Sequence, residues 1–322
     1  MSQENALPRE LTAYAYRHLT RILPPSTPHP AADEVEADVR TWAQRTGVYG
    51  PDQEHQLARR RIGHLAGWCM PQAPTPVVRL AARYLAWVFV FDDTVGEDAK
   101  RLNRALVWDL PGLLEAGVAH PAAPAGGLTA ALAAVRRDIV DAGGEPLLPQ
   151  LAVALRHYLA GCAREAPWRA SRVPPALGTY LHDRVHTSGG HPLYLHRLAP
   201  GMPPLSEPLP PPVTGLAELA FLIGALANDL IGFTAEQHLG DPVNAVTVLA
   251  HEYCLPLPDA YRATVVLHAS HKHHFDTGHA RLLADPALTE PQRRLVHAIG
   301  GWVAGSAAAL EPYWQHALAH QP

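Results

Sequence analysis

Apolar residues recur at helical spacing through nine stretches, roughly 79 to 95, 101 to 116, 127 to 142, 147 to 165, 175 to 187, 214 to 237, 243 to 253, 258 to 284 and 289 to 319. No strand-like alternation lies between them. The breaks carry residues that end helices: Pro24-Pro25, PQAPTP at 71 to 76, Gly143-Gly144, Pro174-Pro175, Gly189-Gly190 and PPLSEPLPPP at 203 to 212. This pattern predicts an all-α chain, one bundle of about ten helices with the proline-rich segment as a surface crossover. Residues 1 to 30 are expected as an N-terminal extension, joined to the bundle or partly flexible, ahead of a single domain over 31 to 322.

At 322 residues and 48% hydrophobic content, the chain can bury a large core. A formal charge of -4 and a sequence pI near 6.6 give no broad cationic surface, which excludes nucleic acid and an anionic membrane as expected partners. The most apolar stretch, Leu216 to Phe233, is interrupted by Glu218, Asn228 and Asp229, so it reads as a core helix and not a membrane span. The opening MSQENALPRELTAY has no export pattern, and a cytoplasmic protein is expected. Cys69, Cys162 and Cys254 lack metal or disulfide spacing and read as buried thiols. His268, His271, His273, His274 and His279 have no accompanying carboxylate pattern and are not read as a transition-metal site.

Two clusters of hard oxygen donors stand out. Asp92 and Asp93 follow directly on a solidly apolar run, where unpaired carboxylates would cost several kcal/mol. With Glu97 on the same helix face, they suit a divalent cation such as magnesium, although an isolated DDxxxE is more often a solvated helix end. Downstream, Asn228, Gly232 and Glu236 fall at i, i+4 and i+8 inside another apolar helix and stack on one face. Taken alone, such residues are ordinary polar positions; two oxygen-rich faces on two buried helices call for a shared ligand.

The segments WVFVFDDTVGE and NDLIGFTAE resemble the aspartate-rich motif and the Asn/Ser/Glu triad of class I terpene synthases. The resemblance implies an all-α class I terpenoid synthase helical bundle around a central active-site cavity. It implies three Mg2+ ions, for which Mn2+ could substitute, held by Asp92, Asp93 and Glu97 on one side and by Asn228, Gly232 and Glu236 on the other. Between the motifs, YLHDRVHTSGG resembles the family's diphosphate-sensing segment. It gives Arg184 the sensing role, through a planar fork suited to phosphate oxygens, and places Thr187, Ser188 and Gly189 at the helix break, with Ser188 as the carbonyl-bearing effector.

The chain departs from the family at three places. Gly232 stands where a Ser or Thr ligand is usual, Ala235 replaces the basic residue before the triad glutamate, and the C-terminal Arg-Tyr pair is missing: Tyr313 follows Pro312, and no arginine occurs after Arg294. Lys272 is the first candidate to supply a compensating diphosphate contact, ahead of Arg262 and Arg281. Trp68, Phe89, Phe221 and Trp302 are expected to line the cavity and face passing cations, or else to be plain core aromatics.

The expected activity is Mg-dependent ionisation and cyclisation of a linear prenyl diphosphate to a terpene hydrocarbon or alcohol plus diphosphate. Farnesyl diphosphate is favoured and geranylgeranyl diphosphate comes next; a homodimer is compatible with this reading. A silent prenyl-diphosphate-binding homologue would account for the departures, and a chain elongase is disfavoured because the second motif is not aspartate-rich.

Overall fold

Helices account for all the regular structure in the computed structural model, which describes residues 9–22, 26–50 and 59–320 and contains no strand among them. The α-helices are α1 (Arg9–Ile22), α2 (Ala32–Thr46), α3 (Ile62–Cys69), α4 (Thr75–Phe91), α5 (Ala99–Ala105), α6 (Leu110–Ala116) and α7 (Leu128–Asp141). They continue with α8 (Leu148–Ser171), α9 (Leu177–Thr187), α10 (Pro211–Leu239), α11 (Ala245–Glu252), α12 (Leu257–Ala284), α13 (Glu290–Ala309) and α14 (Glu311–His320). A π-helical turn, Asp92–Gly96, follows α4, and a 3-10 segment, His191–Leu198, follows α9.

The central helix is α4. It buries twelve of its seventeen residues, Tyr84, Trp87 and Phe91 among them, on all sides of its axis, as expected of a helix surrounded by others. Each large apolar side chain so removed from water stabilises the fold by roughly 1.5–3 kcal/mol. Arg83 ties this helix to two neighbours, reaching Asp38 of α2 at 2.9 Å and Asp138 of α7 at 2.6 Å. Helix α10 is the second buried axis. By length and composition it could cross a membrane, yet 67% of its most apolar window is buried inside the bundle.

Several elements differ from the sequence pattern. Segment 101 to 116 is two short helices, because Asp109 takes a left-handed conformation (φ 46°) and caps α6 through Gly112 N–H. Segment 289 to 319 divides at Leu310, ahead of Pro312, into α13 and α14. Helices α1, α2 and α3 lie upstream of the first expected stretch. In α1, Leu11, Ala15 and Leu19 are buried in a cluster with Leu230, Phe233 and Tyr261, so this helix packs on the bundle. The Pro24-Pro25 break and the first eight positions lie outside the described residues. The proline-rich crossover runs over the surface, stapled by Arg197, which donates to the carbonyls of Pro204 and Glu207. One cysteine expectation is corrected: Cys69 and Cys162 are buried, but Cys254 is exposed, in a left-handed turn (φ 51°) after α11 and not on a helix face.

Candidate active site

The aspartates sit where α4 widens. The Glu97 N–H reaches back five residues to the Asp92 carbonyl (3.3 Å), the signature of a π turn, a local widening that recurs at functional sites. Asp92 turns inward and accepts a hydrogen bond from Tyr158 Oη of α8 at 3.1 Å. Asp93 turns outward and pairs with Arg60 at 2.6 Å. Asp93 and Glu97 are open to water yet hemmed in by protein atoms, the situation of carboxylates along a concave wall. Burial therefore works against their charge. It pushes the Glu97 carboxyl up to about 7, helped by the negative charge of Asp92, and raises Asp93 against the pull of Arg60.

The opposite wall is α10. Asn228 is exposed on a helix otherwise buried at this level, and Glu236 lies two turns further on. Glu236 is likewise pushed up to about 7, first by burial and then by the charge of Asp229. A Cβ built on Gly232 would stand 2.3 Å from Glu236 Oε1: the carboxylate folds back over the glycine and fills the room a side-chain hydroxyl would need. Asn244, the N-cap of α11, holds it there, donating to Glu236 Oε2 at 2.8 Å and to the Asp229 carbonyl at 2.9 Å.

Arg184 stands between the two walls. Its guanidinium pairs with Asp229 at 2.6 Å and lies 3.3 Å from Asn228 Oδ1. Asp229 is fully committed, accepting also from Tyr180 Oη and Ala245 N–H. Burial disfavours the charge on Arg184, but Asp229, Tyr180, Glu165 and Glu236 outweigh it and keep the guanidinium ionised. The helix break beyond Arg184 is forced by close contacts. Gly189 is left-handed (φ 69°) with Val88 where its Cβ would be, and a Cβ on Gly190 would fall 2.2 Å from the Phe221 ring. Thr187 is locked by donating to buried Glu165 at 2.7 Å, and Ser188 donates to the Val185 carbonyl at 2.9 Å.

Sequence reasoning missed Arg169. It lies near the end of α8, pairing with Glu165 at 2.9 Å and Asp241 at 3.3 Å, and its charge acts on both Asp92 and Glu97. Its only early signal was the four-residue spacing from Glu165. Lys272, by contrast, is buried on α12 with Nζ 2.6 Å from both carboxylate oxygens of Asp276, a pair within its own helix. Lys272 thus holds Asp276, while Arg169, which no motif singled out, is a cation whose charge reaches Asp92 and Glu97. Of the four aromatics, Phe89 lies under Arg60 and Phe221 packs against Gly190. Trp302 meets His196 edge-on, and Trp68 lines a surface cleft of about 610 Å³ with Asp33, His64 and Glu311.

Among the described residues no three His, Cys, Asp or Glu side chains converge on one point. The oxygen donors fit magnesium, which binds through one or two carboxylates and completes its shell with water and phosphate oxygens. Carboxylates crowded in a low-dielectric wall, with their pKa values raised, gain from any cation placed between them. Asp92, Asp93 and Glu97 on one side, and Asn228 and Glu236 on the other, are the residues that would hold it, with two guanidiniums in between for an anion that bridges both.

Two groups of carboxylates with Arg184 and Arg169 near them are what a metal-assisted site for a phosphorylated substrate would need. The chain belongs to the terpene synthase family 2, C-terminal metal binding, whose model matches residues 83–273, and it is a class I terpene synthase, an enzyme. It is 28% identical over 272 residues, 81% of this chain and 84% of the relative, to a 10-epi-cubebol synthase of Sorangium cellulosum. It is 27% identical to a (+)-T-muurolol synthase that cyclises (2E,6E)-farnesyl diphosphate in Roseiflexus castenholzii, over 74% of this chain and 75% of that one. In fold it is similar to the 2-methylisoborneol synthase of Streptomyces coelicolor A3(2), solved with Mg2+ and 2-fluoroneryl diphosphate. The TM-score is 0.79 at 22% identity, covering 89% of this chain and 93% of that chain.

Proposed function

We propose that this enzyme ionises and cyclises a linear prenyl diphosphate, farnesyl diphosphate first and geranylgeranyl diphosphate next, with three Mg2+ ions, in the cytoplasm. The observation that carries this reading is the place of Arg184, which bonds Asn228 Oδ1 at 3.3 Å and Asp229 Oδ1 at 2.6 Å on α10. Its charge also acts on Asp92 and on Glu236, which supports one space shared by the two clusters. Bound magnesium would supply Lewis-acid neutralisation of the departing diphosphate. Asn228 and Glu236 would hold that charge on one side and Asp92 on the other. Arg184 presents a planar fork of donors, and any share it gives to phosphate is taken from Asn228 and Asp229. Val88 and Phe221, pressed on Gly189 and Gly190 just beyond Arg184, would supply apolar surface to keep water from an allylic cation. The farnesyl preference is supported by the substrate named for the (+)-T-muurolol synthase.

The test is to incubate the protein with geranyl, farnesyl and geranylgeranyl diphosphates, with and without magnesium, and analyse the volatile products. A cyclic product from farnesyl diphosphate that requires magnesium and is lost in Asp92→Ala and Glu236→Ala is the expected result. A product formed equally well without the metal would refute the reading.

A further inference from the structure

The helix α10 lacks a basic residue before Glu236, and α14 lacks the Arg-Tyr pair, so the diphosphate face is short of cations when read along the chain. Two distant segments meet to make up the deficit. Arg60, just ahead of α3, places its guanidinium 2.6 Å from Asp93 Oδ1 and 4.9 Å from the centre of the Phe89 ring. Tyr313, in the first turn of α14, donates its hydroxyl to the Arg60 backbone carbonyl at 3.1 Å, across 253 residues of sequence. An arginine and a tyrosine thus stand together beside the aspartate turn, although no helix carries both.

Tyr49 is an independent sign of a ligand here. Its hydroxyl oxygen is buried without a hydrogen-bond partner among the described residues, and the charges of Arg60 and Asp93 both act on it. A buried O–H left unpaired within reach of a guanidinium's charge marks a place where an acceptor belongs. The contact with Phe89 matters too: it holds the Arg60 guanidinium over an aromatic face of α4, three residues before Asp92. A guanidinium has five N–H donors, and the Asp93 contact uses one of them.

Resting on the function proposed above, we infer that Arg60, anchored by Tyr313, binds the substrate's diphosphate, moving from Asp93 to phosphate oxygens when metal occupies the aspartate turn. Arg60 then does the work of the missing pair, from the other end of the chain.

Calorimetric titration tests this with two probes, inorganic diphosphate in the presence of Mg2+, and Mg2+ alone. Arg60→Ala is expected to weaken diphosphate binding about tenfold to a hundredfold, the effect of a charge-assisted hydrogen bond. Arg60→Lys recovers part of it, since a point charge replaces a fork, and Tyr313→Phe loses about twofold to tenfold. Mg2+ alone should bind Arg60→Ala at least as tightly as wild type, because a cation competing for Asp93 has gone. Arg156→Ala, which removes an exposed pair with Glu115, serves as the unchanged control. Diphosphate binding by Arg60→Ala equal to wild type overturns the inference. So does an equal loss of Mg2+ and diphosphate affinity, which would make Arg60 a prop for the turn. A wild type that binds no diphosphate with magnesium overturns the functional reading itself, an outcome separable from the other two.

Discussion

The Arg184 guanidinium lies 2.6 Å from Asp229 Oδ1 and 3.3 Å from Asn228 Oδ1, so one side chain ties α9 to α10 at two successive residues. Asp229 is only 1% exposed, and with Arg184 removed its charge would be left without its main counter-ion. Arg184→Ala is expected to cost about 3–5 kcal/mol of stability in urea denaturation, the penalty for orphaning a buried charge. Arg184→Lys keeps the charge but loses the fork, and should fold with diphosphate binding impaired.

Gly232 gives a prediction of the opposite sign. The Glu236 carboxylate that occupies the space beside it is the far end of a flexible chain, so Gly232→Ser should be accommodated by rotation of Glu236. Replacing a mid-helix glycine also favours the helix by several tenths of a kcal/mol. The expected outcome is unchanged or slightly higher stability and a lower Mg2+ concentration for half-maximal turnover, checked by magnesium titration of product formation.

Asn244→Ala removes the cap on Val246 N–H (2.8 Å) together with the hydrogen bond that holds Glu236. The lost cap should cost about 1 kcal/mol. The free Glu236 should raise the magnesium requirement, an effect that Asn244→Asp would worsen by setting a second carboxylate against Glu236. Thermal unfolding and magnesium titration separate the two effects.

Gly190→Ala would drive a methyl into the Phe221 ring, and Gly189→Ala would force a side chain into the left-handed region against Val88. Each should lose about 1–3 kcal/mol. Circular-dichroism melts should show a lower Tm for both.

Much of the fold was legible in the sequence because buried helices write their periodicity plainly: α7, α9 and α12 begin and end within a few residues of the expected stretches. The aspartate turn and the Asn228/Glu236 face were legible for a related reason, since polar residues interrupt apolar runs there. The amphipathic α1 and α2 were missed because polar and charged residues dominate them and their apolar stripes are narrow, with Val35, Val39 and Trp42 scattered among charges. Arg169, Arg60 and Asn244 were not legible as site residues. Each is an ordinary polar residue in its own neighbourhood, and acquires a role only through partners such as Asp241, Asp93 and Glu236 that the chain brings to it.

Acidity gives another test. Glu97 and Glu236 titrate near 7 in the folded protein, above the ordinary glutamate value, so the metal-free fold binds more protons than the unfolded chain between about 4.5 and 7. Their contribution to stability is fully present below the unfolded value and is lost as pH rises through about 7. Magnesium must displace those protons at lower pH and needs to displace none above it. The Tm gain on adding magnesium and inorganic diphosphate should therefore be small at pH 6 and larger at pH 8. Buried His191 and His268, held down to about 3, lose stability in the other direction, as pH falls below the usual histidine range, and should affect metal-free and metal-bound protein alike.

The most direct measurement is release of inorganic diphosphate from farnesyl diphosphate by the purified protein, followed in time with and without Mg2+. Magnesium-dependent release, abolished by Asp92→Ala and by Glu236→Ala, is what the two facing walls require. No magnesium-dependent release from farnesyl, geranyl or geranylgeranyl diphosphate would contradict the assignment of these residues to ionisation.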